Sequence, residues 1–444
     1  NTQPWWFRIT ADDRIELRAN VDGSAGAHRG RWDLMLNADA PGPWPREFAI
    51  SSGAALFNLR MAFRVVGHDP VVTLLPDPAD DPGLLASVEI VVGRTRPPTF
   101  IEQGLYSAIW NRHTDRWPYT RHPVRPAILV AMERAAAREH GLLHLLHGTH
   151  LRSWMRAAEH ADQILREEVV VASDDPFRVR LGQYRAELAE WTGQNADGCG
   201  VPETAFGPHP AKLPAPVRDF TLGDPGDAPH ERFERHPQLL VLCTERDEPI
   251  DWLRAGQALQ RALLAGAGFG VVASFLTQPL ELADLRFMSG HENGLPAGSE
   301  APRGIGIPWR GHGVDAFQQA SASAVDRRSY ARRRLLGLTP WLEVPQVVLR
   351  VGYPAENPHK PNPRTRRAEP EVIDARSGPP HTSGGRRRST RPGSRPGWPP
   401  APAEAGRTEG RNVTANPGIM ARCSSRRSGS GPWGTPTAPR WHGS

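Results

Sequence analysis

Four histidines, His140, His144, His147 and His150, form an H-x3-H-x2-H-x2-H run, raw material for a metal site. They straddle Gly141 and an apolar stretch, LLHLL at 142–146, that reads as a strand, so they do not share one face. No cluster of carboxylates or cysteines accompanies them, and the spacing assigns no metal ligand. Cys199, Cys243 and Cys423 are too few and too far apart for a disulfide framework or a zinc site. A second candidate is the opening stretch, NTQPWWFRIT. Trp5, Phe7 and Ile9 alternate with Trp6, Arg8 and Thr10, the period of a half-buried strand, and Pro4 suits its first residue. Asn1 to Gln3 then form a polar loop at the start of that strand, a common place for ligand contacts. A chain that opens on Asn1 inside such a stretch is expected to be a fragment with its upstream part lost.

The third candidate is basic. The chain has 444 residues and a net charge of +6, but residues 375–444 hold twelve Arg against two Glu. The remainder carries 42 basic and 46 acidic residues, a mildly acidic body. The Arg-rich tail could grip nucleic acid, with Trp398, Trp433 and Trp441 available for stacking. A shifted reading frame in GC-rich DNA yields the same Arg, Pro, Gly, Ser and Trp mixture, and that origin is favoured over nucleic-acid binding. Residues 22–46 and 286–334 share this flavour. From about Asp374 the tail lacks apolar clusters and is expected to be disordered.

The elements that must hold any site come next. The longest nearly apolar run, residues 262–276, is broken by glycine and shorter than the roughly 20 residues of a membrane span. No signal peptide is visible, and a cytoplasmic protein is the default expectation. Leu56, Leu59, Phe63 and Val66 mark one face of a helix with Ser52 at its cap and Gly67 at its end, followed by a strand at 71–75. Asp251 can cap a second helix carrying Trp252, Leu259 and Leu263, closed by Gly270 before another strand. The two units superpose without a gap at an offset of 203, so that Gly53 meets Gly256, Leu56 meets Leu259 and Gly67 meets Gly270. Between them the pattern predicts helices at 126–139, 151–168 and 179–191, and strands at 142–146 and 238–244. Residues 194–236 read as loop, and a strand covers 344–353. The fold class is α+β, built from two similar halves.

Assembled in this order, the pieces resemble the nitroreductase family of flavoproteins, most closely its Acg-like single-chain FMN-binding branch. Four segments carry the resemblance: NTQPWWF at 1–7, NRHTDRWPYTRHPV at 111–124, ASFLTQPLE at 273–281, and VVLRVGYP with the later RTRRAEPEVI. It implies a nitroreductase-like fold in which two fused halves form an intrachain pseudo-dimer within a monomer. The first half would be 1–100, truncated at its N-terminus, and the second 105–373, with the tail at 374–444.

By the same resemblance, the cofactor is FMN. Arg112 and Arg116, with His113 between them, would contact its phosphate, which suits the bidentate fork of arginine, and Arg366 and Arg367 would reinforce them. Asn111 and Thr365 depart from the branch, which has Arg and Pro there. Ser274, Thr277 and Gln278 would meet the flavin ring at a strand end, with Phe275 where relatives have Pro. Asn1 and Gln3 would reach the ring or ribityl groups from the first half. The implied activity passes hydride from NAD(P)H through FMN to a nitroaromatic or quinone-like acceptor, with no catalytic side chain. The alternative is an FMN-holding protein with little turnover, distinguished by a lid in the loop-rich 194–236 region.

Overall fold

The computed structural model of the chain describes residues 5–10, 12, 14–19, 45–166, 175–190, 192, 201–221, 228–288, 343–357 and 372–374. Asn1, Gln3, Arg366, Arg367 and the tail beyond Asp374 lie outside the described residues. Two sheets dominate. The first has the order β11-β1-β2-β4-β3, from β1 (Trp5–Ile9), β2 (Ile15–Ala19), β3 (Val71–Leu74), β4 (Leu84–Glu89) and β11 (Val372–Asp374). The second has the order β5-β8-β10-β9, from β5 (Leu142–Leu146), β8 (Gln238–Thr244), β9 (Val272–Phe275) and β10 (Val344–Gly352). A short parallel pair, β6 (His209–Pro210) and β7 (His230–Glu231), stands apart.

The helices are α1 (Arg46–Val65), α2 (Phe100–Asn111), α3 (Pro126–Ala137), α4 (Gly148–Arg166), α5 (Pro176–Glu190), α6 (Pro249–Ala267) and α7 (Gln278–Met288). One continuous core joins residues of both sheets to α1, α3 and α6, among them Leu17, Leu56, Leu242, Trp252 and Leu349. The other face of the second sheet, with Val241, Cys243 and Val348, packs on Trp154 and Met155 of α4. A strand buried on both faces reads as an unbroken apolar run, which is why β8 and β10 were legible.

The expected repeat has a structural counterpart. Leaving out β11, the orders β1-β2-β4-β3 and β5-β8-β10-β9 match strand for strand, every neighbouring pair is antiparallel, and α1 and α6 occupy the same place in each sequence of elements. Gly67 and Gly270 both end their helices at positive φ, 91° and 74°. The helices α1 and α6 touch at Gly53 and Gly256. A Cβ on Gly53 would overlap the carbonyl oxygen of Leu253, and one on Gly256 would overlap that of Ile50. Ile50 and Leu253 are themselves related by the same offset of 203. The contact is therefore reciprocal under that offset, i with j′ and j with i′.

Several local expectations are corrected. Helix α1 starts at Arg46, upstream of Ser52, whose hydroxyl donates to Phe48 O inside the helix rather than capping it. Val66 is 55% exposed, because it follows the last helical residue and no longer shares the buried face. Glu248, not Asp251, is the N-cap of α6. Pro249 fixes the first turn, and Asp251 is the third residue of a capping box. Asp374, assigned to the tail by composition, is the last residue of β11, which runs parallel to β1.

Candidate functional site

The basic segment 111–116 lies along the outer edge of β9. Helix α2 ends at Asn111, Arg112 turns to extended backbone, and Thr114 forms a parallel bridge with Ala273, with Asp115 N–H donating to Ala273 O at 2.9 Å. The Asp115 carboxylate is buried and accepts from Trp117 N–H at 3.0 Å, which tightens the chain around Arg116. Two expected groups of residues, the arginine motif and the strand end at Ser274, are thus brought together. Arg112 and His113 are half-buried, with His113 Nδ1 3.2 Å from Asn111 O.

Arg116 is largely covered by the 201–221 segment. Its Nη1 donates to Ala205 O at 2.7 Å, and its guanidinium carbon sits 4.6 Å from the Phe220 ring centre. Arg218 stacks on the same ring at 5.0 Å, and Phe206 stacks on Phe220 at 5.8 Å. Gly207, at φ 87°, lies so close that a Cβ would be 2.9 Å from Arg116 Cβ, so the loop can settle there only with glycine. The two arginines differ in their counter-charges. Arg218 pairs with Glu281 at 2.9 Å and donates to Tyr184 Oη at 2.5 Å, and these acceptors raise its pKa. Arg116 has no carboxylate partner among the described residues, and burial, then the Arg218 charge, lowers its pKa to about 10.

On the other side of β9, Leu276 O accepts from Trp154 Nε1 at 3.1 Å, and Gln278 begins α7. Gln278 is fully buried. Its Nε2 donates to Asp162 Oδ1 at 3.1 Å, while its Oε1 has no hydrogen-bond partner. Thr277 Oγ1 reaches Val348 O at 3.4 Å, and Ser274 is buried opposite Arg350 in the β9–β10 register. Burial pushes the Asp162 carboxyl up to about 6, against the lowering effect of Gln278. Asp162, Arg218, Phe220, His209 and His230 line a cavity of about 170 Å³ beneath the loop.

No family model matches the chain. A Mycobacterium tuberculosis protein named "Putative NAD(P)H nitroreductase" is 29% identical over 290 residues, covering 64% of this chain and 74% of the relative. An "Uncharacterized protein" of the same organism is 27% identical over 292 residues, covering 64% and 76%. A solved nitroreductase with bound FMN from Bacteroides fragilis aligns at 14% identity and a TM-score of 0.28, covering 60% of this chain and 95% of that one. Over those 290 residues the chain is similar to a protein named as a nitroreductase.

Sequence reasoning missed Arg350, Asp162, Arg218 and Phe220. Arg350 is a lone cation in an apolar strand and is fully buried. It lies 3.8 Å over the Tyr119 ring, donates from Nη2 to Trp117 O at 2.6 Å and pairs with Glu234 at 3.6 Å. Its position inside VVLRVGY was a readable signal, because an unpaired charge is not buried in a strand without partners. The other three become neighbours only through tertiary contacts between segments far apart in sequence. In the histidine run, His140 takes φ 61° after α3, His144 lies in β5, His147 Nδ1 lies 2.9 Å from Leu145 O, and His150 is in α4.

Proposed function

We propose that this nitroreductase-like chain is an FMN-dependent oxidoreductase that passes hydride from NAD(P)H to a small electrophilic acceptor such as a nitroaromatic or quinone. The observation that carries this reading is Arg116, a largely covered cation with no carboxylate ion-pair partner among the described residues. A dianionic phosphate is a counter-charge of the right kind, and the guanidinium fork presents its donors in a plane suited to it. Arg112 and His113, on the same segment, would share that charge. Gln278 Oε1, buried and without a hydrogen-bond partner, and the backbone around Ser274 and Thr277 would hold the polar edge of the ring. Asn1, Gln3, Arg366 and Arg367 complete the assignment. When bound, FMN supplies hydride chemistry that no side chain of the chain offers. The protein's part is to bind, orient and exclude water.

The two halves, 1–100 and 105–373, would act as the two subunits of a dimer within one monomer. The reciprocal Gly53–Gly256 crossing and the matched strand orders support this. A second reading, an FMN-holding protein with little turnover, is favoured by one observation: the 201–221 segment lies over Arg116 and would restrict access to a bound flavin. The absorption spectrum of purified protein tests the first claim, since a chain without a flavin band after FMN loading would end it. Anaerobic addition of NADPH separates the readings. Bleaching of the band supports the enzyme, and a band that persists supports the holding role.

A further inference from the structure

Three segments that sequence spacing kept apart converge on the second sheet, away from Arg116. His144 lies in β5, Cys243 in β8 and Glu343 immediately before β10. Leu142 pairs with Cys243 and His144 with Val241, so His144 and Cys243 are diagonal neighbours on one face of the sheet. Val344 pairs with Thr244, which brings Glu343 to the same end. The candidate donor atoms of His144, Cys243 and Glu343 all lie within 4.8 Å of one another. His144 Nε2 is 2.8 Å from Glu343 Oε2.

We propose that His144, Cys243 and Glu343 form a binding site for a divalent transition-metal ion of the Zn2+ type. The donor set, one imidazole, one thiolate and one carboxylate, selects borderline ions and disfavours Mg2+ or Ca2+, which take oxygen ligands. Three protein ligands leave a fourth, tetrahedral position for water. Metal–ligand bonds of about 2.0–2.3 Å at tetrahedral angles put donor atoms roughly 3.3–3.8 Å apart. The His144–Glu343 pair must therefore open by about half an ångström, and the wider separations must close by at most about one and a half. The side chains can supply this, because His144 and Glu343 are only half-buried, at 32% and 29% side-chain exposure. Cys243 is fully buried and anchored by the sheet, so it fixes the floor of the site while the ion enters past the other two. Binding deprotonates the Cys243 thiol and leaves the imidazole neutral with its proton on Nδ1, the released protons going to solvent. The histidine run contributes one ligand only, and the other two come from strands that are distant in sequence.

The test uses the full chain, stripped of metal with a chelator, and Co2+ as the spectroscopic probe with Zn2+ as competitor. One Co2+ per chain with tetrahedral d–d bands and a thiolate charge-transfer band, displaced by Zn2+, is the expected result. Cys243→Ser should abolish the charge-transfer band. Because that change is in the core and could harm folding, Glu343→Gln provides a surface variant that should weaken binding at least tenfold with unchanged circular dichroism. His147→Ala, outside the cluster, should bind as the parent does. Co2+ binding without a thiolate band, binding undiminished in Glu343→Gln, or no stoichiometric binding would each overturn the proposal. The readout needs no flavin and is independent of the oxidoreductase reading.

Discussion

Replacing Arg116 with methionine separates the two reasons a buried arginine could be there, a structural clamp or a seat for an anion. Burial and Arg218 bring its pKa from the ordinary 12.5 to about 10, so it is still charged at neutral pH. At about 1.4 kcal/mol per pKa unit, holding that charge in the folded, flavin-free chain costs roughly 3 kcal/mol. The hydrogen bond to Ala205 O offsets part of this, about 1.5 kcal/mol for a charged donor. Methionine keeps an unbranched stem against Phe220 and removes the charge. Flavin-free Arg116→Met should therefore be more stable than the parent by about 1–2 kcal/mol in urea unfolding. The same change should weaken FMN binding by one to two orders of magnitude, since each charge-assisted hydrogen bond is worth about 1.5–3 kcal/mol. Arg116→Lys should recover only part of the affinity, because it keeps the charge but loses the fork. Arg121, exposed and outside the basic segment 111–116, serves as the control, and Arg121→Ala should change neither quantity. Titrations of flavin-free protein with FMN at two salt concentrations supply the second measurement. If Arg116→Met destabilises the chain and leaves FMN affinity unchanged, Arg116 is a clamp for the loop and the phosphate assignment falls.

Gly53→Ala and Gly256→Ala should each lose at least about 2 kcal/mol of stability, by similar amounts, because overlap with a backbone carbonyl outweighs the helix-propensity gain. Gly104→Ala, whose Cβ meets nothing within 4 Å, should gain up to about 1 kcal/mol, and three equal results in urea melts would refute the crossing. Asp162 has a folded pKa raised to about 6, so the stability it contributes is present at low pH and lost as pH rises through that value. The advantage of Asp162→Asn over the parent should accordingly grow from pH 5 to pH 7.5, by about 1.4 kcal/mol, and a flat difference would contradict the burial argument. Extracted flavin after saturation should approach one FMN per chain, and a value near two would show that both halves carry complete sites.

What the sequence disclosed follows from how locally each feature is encoded. QLLVLCT is buried along its length, so its apolar run marked β8 directly. The repeat was visible because both helix–glycine–strand units keep the same spacing. Helix α2 is readable only from the capping-box spacing of Thr99 and Glu102. Helix α7 starts at Gln278, just after the β9 strand end, so its first turn reads as part of that strand. The covering of Arg116 could not be read at all. Ala205, Gly207, Arg218 and Phe220 lie in a segment without hydrophobic period, and only the fold lays it on residue 116. The same holds for His144, Cys243 and Glu343, whose spacing in sequence is unlike any local metal motif.

On the proposed reading of two fused halves, a duplicated fold would by default build two equivalent sites, so a single site needs a physical source. It lies in what is inserted between matching strands. In the first half, β1 and β2 are joined by residues 10–14 alone. In the second, β5 and β8 are separated by α4, α5 and the 201–221 segment. Ala205, Gly207 and Phe220, which lie against Arg116, and Arg218, whose charge lowers its pKa, come from that insertion. So does Asp162, which ties Gln278 at the start of α7 to the backbone of Asp219 in the covering loop. On that reading the reciprocal contact of α1 with α6 sets the frame, and the insertion breaks its symmetry on one side only. A cation held largely away from water is tolerated where it is later matched by an anion, and among the described residues the elements that cover it occur once.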